Sequence, residues 1–333
     1  MLRIVKPFLA LSALAFLISS TGGASAAVDV FGGWMLNRAA SKLTVPPMTA
    51  EMVIIVPWGK SGWVWNQISG GAYQPEDLIK GVKPPAEVDG PAADAAIRTS
   101  TSTRMMYWAS WDSKNFTTYG RDARQVQLKR VNDQSFEATF FKAPQEPAQG
   151  DNATLAFSPN GQRLTVTSKD DVRVYDRIDP AKWPSRKIEP AAAASAGGGL
   201  LCSGIWNIDE QLTHRTRSPL GPYVQYFGPW GKNGWVRLNT GSMDATGAEV
   251  VFNSFNGNAF QVYGGDPREQ TARQRDADTF ETTAVRYGKP ADTTIVQFSK
   301  DCKRLTFTVP EGTDRRTGLK YYNDVRVYDM IEP

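Results

Sequence analysis

Pro57-Trp58-Gly59-Lys60-Ser61-Gly62-Trp63-Val64 recurs downstream as Pro229-Trp230-Gly231-Lys232-Asn233-Gly234-Trp235-Val236. Seven of the eight positions are identical, and two of them are Trp. In each copy, β-rich runs flank a short Gly-Lys-x-Gly turn, the pattern of a hairpin. The flanks are Glu51 to Val56 and Trp63 to Ile68 in the first copy, and Tyr223 to Phe227 and Trp235 to Leu238 in the second. A hairpin repeated at this fidelity implies that the whole unit containing it is duplicated.

The match extends outward in order. Its offset of 172 residues also aligns Gly32-Gly33-Trp34 with Gly204-Ile205-Trp206. Further along, Tyr119-Gly120 matches Tyr263-Gly264, Phe136-Glu137 matches Phe280-Glu281, and Arg163-Leu164-Thr165 matches Arg304-Leu305-Thr306. Both copies close alike, with Asp171-Val172-Arg173-Val174-Tyr175-Asp176 and Asp324-Val325-Arg326-Val327-Tyr328-Asp329. The organisation expected is a leader over 1–26, one domain over 27–180, a linker over 181–200 and a second domain over 201–333. Within the linker, Pro190 to Gly199 is low in complexity and has little to pack. The first copy carries an insert at 70–102 with Pro75, Pro84, Pro85 and Pro91. A long loop of this kind in a compact domain is usually functional, and a lid over a barrel mouth is the functional reading. In the second copy the extra residues lie near Glu311 to Tyr322.

Strand signals dominate both copies. Leu164 and Val166 alternate with Arg163 and Thr165, a period of two, and Asn160-Gly161 supplies the preceding turn. Long amphipathic helices are absent. Many short strands joined by tight turns define an all-β class, here two tandem antiparallel barrels, with a pair of β-sandwiches as the alternative.

The N-terminus reads as a secretory signal. Arg3 and Lys6 precede an apolar run from Phe8 to Ile18, and Ala24-Ser25-Ala26 gives a small-x-small cleavage pattern. The run falls short of the ~20 residues of a spanning helix. The expected location is periplasmic or secreted, with cleavage after Ala26 and no membrane span. The chain holds 38 basic and 34 acidic residues, and loss of the leader's two leaves 36 against 34. That near-neutral balance offers no footprint for nucleic acid. Cys202 and Cys302 are the only cysteines, and an oxidising compartment favours a disulfide between them.

Gly32-Gly33-Trp34-Met35-Leu36-Asn37, followed by Ser41-Lys42, resembles the opening of bacterial lipocalin-like domains. Gln125 to Val131, Phe136 to Thr139 and Ser158 to Thr167 are similar to the same family. The resemblance covers most of the first copy; the second keeps Gly204-Ile205-Trp206 without the Ser-Lys. It implies a lipocalin-like barrel in each copy, with an arginine laid across the opening Trp. Arg173 and Arg326 are the candidates for that cation–π contact.

The residues for chemistry are few. His214 is the only histidine, so no nucleophilic triad, zinc site or copper site is indicated. No phosphate-binding loop precedes a helix, so no cofactor is expected. Glu137 and Glu281, at matched positions within strands, are candidate carboxylates for acid–base work if buried. Aromatic side chains are abundant instead, with ten Trp and eleven Tyr. Trp58, Trp63, Tyr107 and Trp108 in the first copy, and Trp230 and Trp235 in the second, could line a cavity for an apolar or aromatic ligand. Lys60 and Lys232 at the hairpin tips could meet an anionic headgroup. The expected function is an exported binder of a small hydrophobic or aromatic molecule. A metal- and nucleotide-independent lyase, isomerase or hydratase is the alternative. A surface-docking protein with exposed Trp58 and Trp230 is the second alternative. The sequence sets no oligomeric state.

Overall fold

A computed structural model of the chain describes residues 29–44, 51–69, 102–117, 125–141, 150–182, 185–186, 202–214, 224–231, 234–240, 249–263, 268–286, 289–313 and 320–332. The expected leader, most of the insert at 70–102, most of the expected linker, and Lys232 lie outside these residues. The first sheet contains β1 (Gly32–Leu36), β2 (Glu51–Trp58), β3 (Gly62–Ser69), β4 (Ser102–Ser110) and β5 (Asp112–Thr117). It continues with β6 (Gln125–Asn132), β7 (Ser135–Phe141), β8 (Gly150–Phe157), β9 (Arg163–Thr167) and β10 (Val172–Arg177). The second contains β11 (Ser185–Arg186), β12 (Gly204–Ile208), β13 (Val224–Trp230), β14 (Gly234–Thr240), β15 (Glu249–Ser254) and β16 (Ala259–Tyr263). It ends with β17 (Glu269–Gln274), β18 (Thr279–Arg286), β19 (Lys289–Phe298), β20 (Arg304–Thr313) and β21 (Lys320–Ile331).

Strands adjacent in sequence pair within each sheet, except that β4 and β5 form the two ends of the first sheet and β11 pairs only with β16; the first long strand of each unit returns to pair with the last, β1 with β10 and β12 with β21. All these pairs are antiparallel, so both sheets curl into nearly closed up-and-down barrels. In the second sheet β16 also pairs with β17, and β11 lies beside β16. The repeated motif forms the β2–β3 and β13–β14 hairpins, with Trp58 opposite Gly62 and Trp230 opposite Gly234. Gly59 and Gly231 sit at φ of 62° and 63°, the left-handed conformation that these tight turns require.

Alternation divides the hairpin tryptophans between two environments. Trp63 and Trp235 point into their own barrels. Trp63 packs on Phe136 at 4.6 Å and Trp235 on Phe280 at 5.3 Å between ring centroids. Trp58 and Trp230 point outward, yet they are only 3% and 6% exposed, because the outer faces of β2–β4 and β13–β16 share one hydrophobic core. Matched positions of both repeats meet there: Met52 and Val224, Ile54 and Tyr226, Trp58 and Trp230, Val64 and Val236, Ile178 and Ile331. Tyr226 donates across the junction to the Pro57 carbonyl at 3.2 Å. The contact is a pseudo-symmetric dimer interface within one chain. Trp108 lies in the same shared core.

The floor of each barrel is closed differently. In the first, Arg177 lies over Trp34 at 5.3 Å and its guanidinium donates to the carbonyls of Asp29 and Gly161. Arg177, not Arg173, therefore makes the contact that the lipocalin-like resemblance placed on Arg173. Arg173 and Arg177 share the inward face of β10, but Trp34 pairs in register with Arg177. In the second barrel Met330 occupies the matching place beside Trp206, and the Trp206 indole donates to the Cys302 carbonyl at 3.1 Å. Arg326 instead lies over Phe307 at 5.5 Å. Cys202 and Cys302 are at disulfide distance, with Cα atoms 5.6 Å apart and a sequence separation of 100. Such a loop closure is worth up to ~4.7 kcal/mol in the chain-entropy picture. Cys302 holds a turn at φ 61° where the first repeat uses Gly161 at φ 63°.

Candidate functional site

The interior of the first barrel is unevenly filled. Near the hairpin end, Trp34, Trp63, Phe136 and Phe157 pack into an aromatic cluster through edge-on and tilted contacts. Toward the other end the inward positions become smaller or more polar, and a cavity of about 160 Å³ opens. Trp65, Tyr107, Phe140 and Tyr175 supply its aromatic wall, and Ala153, Leu155 and Val166 its aliphatic wall. Trp65 stacks on Tyr107 at 6.0 Å and 13°, and Phe140 meets Tyr107 edge-on at 5.7 Å. Gln67, Asn152, Asp151 and Ser168 bring polar groups to the same lining. The Trp65 indole N–H is buried and finds no acceptor among the described residues.

Arg173 also lines the cavity, but its guanidinium is engaged behind it. One nitrogen donates to both oxygens of Glu51 at 3.0 and 2.8 Å, and the other to Asp171 at 3.0 Å. Glu51 is fully buried and also accepts the Tyr175 hydroxyl proton. Burial and the adjacent Glu51 charge push the Tyr175 hydroxyl well above the ordinary tyrosine range, so it stays a donor. Burial does the same to the Tyr107 hydroxyl. Although burial opposes it, hydrogen bonds from Thr44 and Arg173 hold the Asp171 carboxyl below its ordinary range.

The corresponding region of the second barrel has changed character. Arg237 stands where the first repeat has Trp65, Gln225 where it has Val53, and Phe227 where it has Ile55. Phe307 takes the place of Val166, adding bulk toward the interior. Glu249 bridges Arg237 at 3.3 Å and Arg268 at 2.6 Å. Burial would raise the Glu249 carboxyl, but Arg268 and Arg237 outweigh it and hold the group at about 2. Burial, with Arg268 and Arg326 nearby, lowers Arg237 to about 10 despite Glu249.

Of the residues singled out from sequence, Tyr107 lines the cavity. Trp63 and Trp235 belong to the barrel floors. Trp58, Trp108 and Trp230 belong to the junction between barrels. Lys60 is exposed at its hairpin tip. Glu137 is exposed on the barrel wall and lies 3.5 Å from Lys129. Glu281 is clamped by Arg275 and Arg273; their hydrogen bonds overcome burial and keep its carboxyl below the ordinary range, which suits an ion pair better than proton transfer. His214 is exposed and bridges to Val325 through its backbone. Sequence reading missed Trp65, Glu51, Arg173 as a site residue, and Tyr175. The strict alternation Trp63, Trp65, Gln67 carried the signal for Trp65, since Trp63 and Trp65 must face one interior.

Among the described residues no group of three or more His, Cys, Asp or Glu is placed to hold a metal ion, and no helix is long and apolar enough to cross a membrane. The fold and site thus define a tandem of two nearly closed antiparallel barrels with a small aromatic-walled cavity in the first. No known protein family, curated protein or solved structure matches the chain.

Proposed function

We propose that the protein is an exported, lipocalin-like binder of a small aromatic or apolar molecule, held in the first barrel. The carrying observation is the cavity of about 160 Å³ walled by Trp65, Tyr107, Phe140 and Tyr175. An engineered apolar cavity of ~150 Å³ accommodates benzene, whereas drug-sized ligands take ~300 Å³ or more. The size therefore favours a single-ring ligand. The disulfide-distance pair Cys202–Cys302 is compatible with an oxidising, extracytoplasmic location.

Ala153 lines the cavity and is nearly buried, so Ala153→Leu fills the space without adding a polar group. Titration of the two-barrel protein with benzyl alcohol, followed by tryptophan emission and calorimetry, should show saturable binding. Ala153→Leu should abolish it while leaving the far-ultraviolet spectrum and melting temperature intact. Native mass spectrometry of protein recovered from the exporting cell adds the resident ligand. A wild type that neither carries a ligand nor binds benzyl alcohol at millimolar concentration overturns the reading. A co-purified compound consumed on incubation would move the assignment from binder to enzyme.

A further inference from the structure

We infer that the second barrel binds a small oxyanion, a carboxylate or a phosphate-type group, between the guanidinium groups of Arg237 and Arg326. The site is separate from the first-barrel cavity and from the ligand proposed there.

Both arginines are inward residues. Arg237 follows Trp235 on β14 and Arg326 precedes Tyr328 on β21, each two residues from a side chain of the barrel core. They converge on one ring, with Arg237 5.8 Å and Arg326 5.5 Å from Phe307. Like charges so placed repel. Burial first, then the Arg268 and Arg326 charges, lower Arg237 to about 10 against the pull of Glu249.

Neither guanidinium is satisfied among the described residues. Arg268 grips Glu249 with one nitrogen on each carboxylate oxygen, at 2.6 and 2.8 Å. Arg237 reaches Glu249 only at 3.3 Å. Its Nε–H has no acceptor, although the residue is just 9% exposed. Arg326 is half-buried, and its Nε–H also lacks an acceptor. Among the described residues its one close contact is the Phe307 ring. Buried N–H groups are nearly always paired in native proteins. Two unpaired ones on neighbouring guanidiniums suit an anionic acceptor shared between them. The planar guanidinium fork fits the paired oxygens of a carboxylate or phosphate.

The first repeat shows the same arginine supplied from within. Arg173, the counterpart of Arg326, holds Glu51 at 2.8 Å and Asp171 at 3.0 Å. In the second repeat Tyr223 aligns with Glu51, so the carboxylate is lost at that position. Asp324, which aligns with Asp171, is engaged by other groups. An external carboxylate or phosphate would take the part that Glu51 plays in the first barrel.

Calorimetric titration of the intact, oxidised protein with inorganic phosphate, acetate and chloride, at neutral pH and fixed ionic strength, tests the site. Phosphate or acetate should bind saturably, one per chain, and about tenfold or more tightly than chloride. The tighter of the two names the source of the oxyanion. Arg326→Gln should weaken that binding about tenfold or more, and Arg326→Lys, which keeps the charge without the fork, about threefold or more. Thermal melts separate binding from a merely structural role. Without oxyanion, Arg326→Gln should melt at or above the wild-type temperature, because it relieves the repulsion on Arg237. With saturating oxyanion it should melt below the wild type. Absence of saturable binding at millimolar concentration overturns the site. So does binding that survives Arg326→Gln, since the anion then sits elsewhere. Chloride bound as tightly as both oxyanions removes the oxyanion assignment. A variant equally destabilised with and without oxyanion makes Arg326 structural and overturns its role in binding.

Discussion

Glu249 shows how one side chain can set the acid limit of a barrel. Its carboxyl, held at about 2 against an ordinary 4.5, binds a proton less readily folded than unfolded. The stability it contributes is therefore fully present above pH 5 and is lost as pH falls toward 2, an effect of about 3 kcal/mol. Urea unfolding at pH 7, 4 and 2.5 should show this decline, and Glu249→Gln should remove most of it while lowering stability at pH 7. An unchanged pH dependence in that variant would place the acid sensitivity elsewhere. Glu249 was illegible in the sequence because nothing local marks it: its partners Arg237 and Arg268 come from different segments and meet only in the closed barrel. The same holds for Glu51, whose partner Arg173 lies on the far side of the first repeat. Cys202 and Cys302 were legible because the chain has no other cysteines.

At the scale of elements, the hairpins were readable from Gly-Lys-x-Gly, and the strands from their β-rich runs. The direction in which Trp58 and Trp230 point was not taken from the sequence, although a signal existed. Met52 to Val56 is a continuous apolar run rather than an alternating one, the pattern of a strand buried on both faces. β2 and β13 are such strands, each with one face in its own barrel and the other in the shared core. Trp230 rests on Gly33, where an added Cβ would come within 2.7 Å of its ring. Gly33→Val should thus cost about 1–3 kcal/mol by overpacking, and Trp230→Ala roughly 3–5 kcal/mol by opening the junction. Chemical denaturation of the two variants checks both values. Effects below half a kcal/mol would mean that the barrels are not held together there.

For the molecule as a whole, the duplication and the all-β class were plain in the sequence, whereas the cavity was not. The cavity arises where Ala153, Leu155 and Val166 fail to fill the space that Phe227 and Phe307 help to fill in the second copy, and an unfilled volume has no motif. The shared core also makes each barrel incomplete alone. A fragment of residues 27–182 would expose Met52, Ile54, Val56 and Trp58 on one face. Expressed singly it should self-associate and bind a hydrophobic dye, and co-expression with residues 201–333 should restore a soluble one-to-one complex on size exclusion. A monodisperse, dye-silent fragment would contradict this.

The junction has a consequence for how the two copies have aged. Their longest shared stretch, Pro57 to Val64 and Pro229 to Val236, lies where each copy leans on the other. Their mouths, where Trp65 answers to Arg237 and Val166 to Phe307, have drifted apart. Mutual contact acts as a brake on divergence, because a change in one hairpin must be tolerated by its twin. The seam has stayed alike while the interiors have parted, one copy keeping a cavity and the other filling the matching space with charged side chains.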